Sequence, residues 1–309
     1  MVTTVKTPDL SVRVGSLLLK NPVIAASGTF GYGLEFLPFY DISRLGALVV
    51  KGISIEPTRG NPPPRIAETP AGMLNAIGLQ NIGSRSFKED VAPRLEEANA
   101  VYIANIYGRT GEEYEAVARS LSELSSLAAI EINASCPNVK EGGIAFGSTA
   151  EGLSGLVRRV RAATGKPLWV KLSPNVADIG TVARAAEDAG ADAVTLINTL
   201  VGMAVDPRSR RPLLANVTGG LSGPAIRPVA LRLVWEACKA VKIPVIGIGG
   251  IQSAEDALEF LLVGAAAVQV GTANFRNPNV CVEIIDGIRE FMAREGIGSL
   301  DGYRGTLLL

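Results

Sequence analysis

Residues 244–271 read PVIGIGGIQSAEDALEFLLVGAAAVQVG, and this stretch decides the fold. Pro244 to Gly249 is a short apolar, β-branched run, Ala254 to Leu262 has helical periodicity, and Ala267 to Gly271 is a second apolar run. A strand, a Gly249-Gly250 turn, a helix and another strand make a unit whose two strands run parallel. The segment Gly247-Ile-Gly-Gly-Ile-Gln252 lacks the third glycine of a dinucleotide fingerprint and closes the seventh such unit of the chain, which excludes Rossmann-type NAD binding.

The same grammar extends outward. Further apolar runs occupy Pro22 to Ala26, Ala47 to Lys51, Val101 to Ile106, Ala128 to Asn133, Pro167 to Leu172 and Ala193 to Asn198. Helical stretches fall at Ser86 to Ala98, Thr110 to Ser122, Gly152 to Ala163, Val176 to Ala189, Ala225 to Val241 and Val280 to Ala293. Strands too apolar to face water on either side imply a parallel sheet covered by helices, and eight repeats in this length favour a closed (β/α)8 TIM barrel. Leu10 to Val14 and Leu17 to Leu19 flank Gly15-Ser16, the pattern of an N-terminal hairpin capping the barrel bottom. Two long connections, Gly52 to Ser84 and Thr199 to Gly223, follow strands and so belong at the C-terminal face. The second contains Arg208-Ser-Arg-Arg211, read as a solvated loop. With no linker and no break in composition, 1–309 reads as one domain.

With 47% hydrophobic and 19% charged residues, the 309-residue chain buries a large core. Its 30 basic residues balance 30 acidic ones, so nucleic acid and anionic membranes are not the expected partners, and a small ligand is. The N-terminus lacks the apolar core of a signal peptide, and no run is long enough to span a bilayer; the expected location is the cytoplasm. Cys136, Cys238 and Cys281 are too few and too scattered for a disulfide framework or for an iron–sulfur cluster held by this chain alone. Cys238 and Cys281 sit in amphipathic patterns and read as core residues.

Barrel chemistry gathers where strands end. Those ends carry Ser27-Gly28, Lys51-Gly52, Asn105, Asn133 to Cys136, Lys171, Asn198-Thr199, Gly249-Gly250 and Gly271-Thr272. The last two pairs resemble a phosphate cradle built from backbone N–H groups, with Ser253 as cap of the next helix; plain tight turns are the alternative. Asparagine offers a donor and an acceptor together, which suits an imide or pyrimidine ring, and with a phosphate cradle this points to FMN. The chain has no histidine, so a proton-transfer group must come from elsewhere. Cys136, following an apolar run, is the candidate base, against the plainer reading of a small buried hydrophobe. Lys140 to Gly147, rich in glycine, is a candidate lid.

Ala25-Ala-Ser-Gly-Thr-Phe-Gly-Tyr-Gly33, Asn75-Ala-Ile-Gly-Leu-Gln-Asn81, Asn133-Ala-Ser-Cys-Pro-Asn138, Gly219-Gly-Leu-Ser-Gly-Pro224 and Ile246-Gly-Ile-Gly-Gly250 together resemble the motifs of class 1 dihydroorotate dehydrogenases. The likeness covers essentially the whole chain, and its details resemble the class 1B catalytic subunit. It implies Cys136 as the base and FMN contacts from Ser27, Lys51, Gly52, Asn105, Asn133, Lys171, Ile197, Gly223, Gly249, Gly250, Gly271 and Thr272. It places substrate against Lys51, Asn75, Ala76, Ile77, Gly78, Leu79, Asn133, Asn198 and Thr199. It further implies oxidation of dihydroorotate to orotate in pyrimidine biosynthesis, with electrons passed to NAD by a partner subunit carrying FAD and [2Fe-2S], two of each chain forming a heterotetramer. No metal site is expected in this chain.

Other readings stay open on the residues alone. A homodimer of class 1A type would hand electrons to fumarate. A Schiff-base aldolase or isomerase would use Lys171 but leaves Cys136 and the amides unexplained. A flavin reductase forming a dihydropyrimidine or dihydrouridine would run the chemistry in reverse. A purely structural barrel fits poorly with such polar strand ends.

Overall fold

A computed structural model describes residues 7–134 and 146–309. Cys136 and all but the end of the Lys140–Gly147 segment lie outside the described residues.

Eight parallel strands close into a barrel: β1 (Val23–Ala25), β2 (Ala47–Val49), β3 (Tyr102–Ile106), β4 (Ala129–Asn133), β5 (Leu168–Lys171), β6 (Ala193–Leu196), β7 (Val245–Ile248) and β8 (Ala267–Val270). Closure is made by β8 against β1, with Val268 opposite Val23 and Val270 opposite Ala25. Every residue of these strands is buried except Asn133, at the C-terminal mouth. This explains the near-continuous apolar runs, since both faces of a barrel strand are covered.

Helices form where a short polar side chain can cap them. Thr110, Thr149, Asp178 and Ser253 each accept from a backbone N–H in the first turn of Gly111–Ser122, Ala150–Ala163, Ile179–Asp188 and Ala254–Leu262. Arg227–Ala240 and Val280–Arg294 complete the later units. The helix expected from Ser86 begins at Gly83 and contains a π-turn at Phe87–Val91 before Ala92–Glu97. Pro93 explains the defect: it has no N–H to return to the preceding turn, and the Ala92 N–H instead bonds the Phe87 carbonyl. Between β1 and β2 the chain makes two 3-10 turns, Leu34–Phe36 and Ile42–Arg44, with Phe30 and Phe36 stacked at 3.8 Å.

The bottom hairpin is present, Val12–Val14 pairing with Leu17–Leu19. Gly15 turns at φ +60° beside Asp192, just before β6 begins. The two long connections are not irregular loops. They pair with each other in a four-stranded antiparallel sheet, in the order Leu200–Met203, Thr218–Ser222, Gly72–Asn75, Ile66–Thr69. Leu74, Ala76 and Leu214 form a small separate core there. Arg208 to Arg211 is exposed at the tip of a short hairpin, Val205–Asp206 against Arg211–Pro212. Among the described residues no helix is long and apolar enough to cross a membrane.

The Ser253 hydroxyl accepts from the Asp256 N–H at 3.2 Å. Ser253→Ala should therefore lower stability by about 1 kcal/mol, seen as a lower urea midpoint with unchanged slope; an unchanged midpoint would contradict the cap.

Candidate active site

The strand ends place polar groups side by side. At the β6 end, the Asn198 amide nitrogen donates to Asn133 Oδ1 at 3.2 Å, and Asn198 Oδ1 accepts from the Thr199 N–H at 2.8 Å. These two bonds fix the orientation of Asn198. The Ile197 N–H reaches the Ile248 carbonyl at 2.8 Å and the Asn198 N–H the Leu172 carbonyl at 3.0 Å, which ties this turn to its neighbours on both sides. Lys171 ends β5 buried; desolvation lowers its pKa, opposed by the nearby Glu131 carboxylate. Lys51, half-buried past β2, is lowered first by burial and further by Arg65, with Glu35 pulling the other way. Both ammonium groups are thus poorly hydrated and suited to an anionic partner.

Gly249 and Gly250 turn tightly after β7, and Gly223 lies against them. A Cβ on Gly250, at φ +75°, would meet Arg227 Cβ at 2.8 Å and the Gly223 carbonyl at 2.9 Å, so only glycine fits. Thr272, after β8, donates its hydroxyl to Ser222 at 2.8 Å, which joins the β8 turn to the accessory sheet. Gly271 packs near Ala26 and Thr29, beside Ser27 of the β1 turn. The expected cradle residues therefore gather at adjacent barrel turns. Arg227 forms an ion pair with the buried Asp256, whose carboxylate also accepts from the Gln252 N–H at 2.9 Å. Neither was singled out from the sequence, yet they lock the two helices that flank the Gly249-Gly250 turn.

Asn75 to Leu79 leaves the accessory sheet and folds back toward the mouth. Asn75 donates to the Gly220 carbonyl at 3.4 Å, and Thr199 sits against Gly220 so closely that no Cβ would fit. Leu79 adopts φ +60°. A buried network missed in the sequence supports this segment. Asn81 Oδ1 accepts from the N–H groups of Ser54 (3.2 Å) and Gly83 (2.8 Å), while its amide nitrogen donates to the Leu79 carbonyl and Ser54 Oγ, each at 2.9 Å. Tyr107 donates to Thr58 Oγ1 at 2.8 Å. From the Asn61 side, an amide N–H donates to the Ala76 carbonyl at 2.9 Å.

A second missed group lies inside the barrel. The run Ala128 to Ile132, read as apolar, contains Glu131, and the structure buries it completely. Asn105 Nδ2 donates to Glu131 Oε1 at 2.7 Å, and Gln269 Nε2 to Oε2 at 2.8 Å. The break in the apolar pattern at Glu131 was the available signal.

Cys136 lies outside the described residues. Cys281 is fully buried and donates to Asn274 Oδ1 at 3.3 Å; burial pushes its pKa up to about 12, and that of Cys238 likewise to about 12. Both stay protonated at neutral pH, in keeping with a packing role.

A closed barrel with apolar walls and a mouth of asparagine, lysine and glycine defines a (β/α)8 barrel of the enzyme type, in which strand ends carry the chemistry. The sequence model described as dihydroorotate dehydrogenase matches residues 9–292, and the chain belongs to that family of oxidoreductases. It is 57% identical to the dihydroorotate dehydrogenase B (NAD(+)) catalytic subunit of Trichlorobacter lovleyi, over 97% of this chain and 99% of that one. To the protein of the same description from Solidesulfovibrio magneticus it is 58% identical, over 97% and 98%. The crystal structure of the Eimeria tenella DHODH in complex with ferulenol superposes with a TM-score of 0.80 at 23% identity, covering 99% of this chain and 90% of that one; it shares the fold.

Removing the Asn81 side chain strands the Ser54 and Gly83 N–H groups. Asn81→Ala should raise hydrogen exchange across residues 54–83 while leaving the barrel strands protected; unchanged exchange there would sink the supporting role. Near neutral pH, an alkylating reagent should leave Cys238 and Cys281 unmodified in the folded chain and label both after denaturation. Labelling of native Cys281 would contradict its burial.

Proposed function

We propose that this chain is the catalytic subunit of an NAD-linked dihydroorotate dehydrogenase, oxidising (S)-dihydroorotate to orotate for UMP synthesis in the cytoplasm. The observation that carries this reading is the mouth itself: paired amides and two desolvated lysines beside a glycine cradle that excludes side chains.

The residues present fit FMN. Backbone N–H groups around Gly223, Gly249, Gly250, Gly271 and Thr272 suit a phosphate, with Ser27 alongside. Gly52, Asn105, Asn133, Lys171 and Ile197 suit the ring, and Asn105 Oδ1 is buried with no partner among the described residues, an acceptor awaiting a donor. Bound there, FMN supplies the hydride acceptor that no side chain offers.

The substrate is held by Lys51, by Asn75, Ala76, Ile77, Gly78 and Leu79, and by Asn133, Asn198 and Thr199. Lys51 pairs with its carboxylate, and the amides fix the ring by complementary donors and acceptors. Cys136 removes the proton from C5, adjacent to a carbonyl, and the loss of a hydride from C6 completes the C5–C6 double bond. A thiol with an ordinary pKa of about 8.5 is partly ionised near neutrality, and a neighbouring lysine would increase that fraction. Lys171 would supply positive charge toward the ring of a bound flavin.

Linking the reaction to NAD falls to a second subunit bearing FAD and a [2Fe-2S] centre, in a heterotetramer of two plus two. The three cysteines of this chain are too few for such a cluster, and its glycine-rich turn is not a dinucleotide fingerprint.

The test uses the purified chain under anaerobic conditions. A flavin absorption band should be present and should bleach rapidly with dihydroorotate, while Cys136→Ala should slow bleaching by at least roughly a hundredfold. Alone, the chain should reduce NAD poorly. A flavin indifferent to dihydroorotate would overturn the substrate, absence of flavin would overturn the cofactor, and robust NAD reduction by the single chain would overturn the partner.

A further inference from the structure

Glu131 places a carboxyl group in the barrel interior, two residues before the β4 end, where it has no place in the chemistry above. Its two oxygens can only accept when ionised, and each has an amide nitrogen against it, from Asn105 and from Gln269. Both amides are therefore held in one orientation, nitrogen toward the carboxylate and oxygen away. Six buried side-chain polar atoms lack a partner among the described residues, and two of them are the far ends of these amides, Asn105 Oδ1 and Gln269 Oε1. Native interiors rarely leave such atoms unpaired without a functional reason. Asn105 Oδ1 lies against the Gly52 backbone: a Cβ on Gly52, past the end of β2, would come 3.0 Å from it, so the glycine leaves room beside this oxygen next to the mouth.

We propose that Glu131 is a positioning residue, which locks the Asn105 amide so that Oδ1 is presented at the Gly52 edge of the mouth as an acceptor for a ring N–H of the bound flavin. Gln269 is the second anchor, filling the other carboxylate oxygen so that Glu131 cannot rotate away. Without Glu131 the Asn105 amide is free to flip, and a donor nitrogen would face a donor N–H. The inference rests on FMN as the cofactor.

Glu131→Gln preserves shape but requires one of the two amides to reverse. In the folded chain it should weaken FMN binding by roughly tenfold or more, measured by quenching of flavin fluorescence on titration into apoprotein, and shift the flavin midpoint potential. In an Asn105→Ala background the same substitution should have little further effect, because Glu131 acts through Asn105. A purely structural role would instead give additive losses. Independently of any Glu131 variant, the Asn105 side-chain amide protons of the wild type, assigned in NMR spectra through Asn105→Ala, should resist exchange before and after FMN is added. Wild-type protein without affinity for FMN would overturn the cofactor reading itself. Wild-type FMN binding with an unchanged dissociation constant and potential in Glu131→Gln, additive losses in the double variant, or freely exchanging Asn105 protons would overturn this proposal alone.

Discussion

Closing β8 onto β1 is the constraint from which the rest follows. An open sheet has edges that can meet water; a closed one has none, and here both faces of every strand are covered. Water reaches the strands only at their ends. Polar side chains must therefore either sit at the mouth or satisfy one another in the interior, since an unpaired buried carboxylate would be prohibitively unfavourable. The amide nitrogens of Asn105 and Gln269 do the second, both on Glu131, and Asn133 and Asn198 do the first.

The barrel was legible because its signals are local. A strand buried on both faces is an unbroken apolar run, and four of the helices begin at a threonine, aspartate or serine that caps them. Ala254 to Leu262, capped by Ser253, has the bounds read from sequence. The accessory sheet was not legible for the opposite reason. Its strands are short and glycine-bearing, and Leu74 meets Leu221 across nearly half the chain, a pairing that no window of sequence encodes. The π-turn at Phe87–Val91 was likewise hidden, although Pro93 that causes it was in plain view.

At the mouth, Ser27, Lys51, Asn133, Lys171, Asn198 and Gly249 fall where a barrel puts its strand ends, so knowing the strands was enough to place them; Asn75 to Leu79 and Gly223 lie on the long connections, which the strand pattern does not place. The groups that hold them were harder to see. Asn81 acts on Ser54 from 27 residues away, and Gln269 on Glu131 from 138. Asp256 looks like an ordinary first-turn acid until Arg227 is found against it. A place at a strand end follows from position within one unit of the barrel, whereas support comes from side chains of different units meeting in space.

The accessory sheet makes two distant insertions into one inherited object. Gly72–Asn75 and Thr218–Ser222 are hydrogen-bonded neighbours, and the first runs directly into the Asn75 to Leu79 segment. Because side chains alternate between faces along a strand, adding one residue to either would turn the other's partners inside out. Change in one insertion therefore demands an answering change in the other, and the two segments must drift through evolution in step.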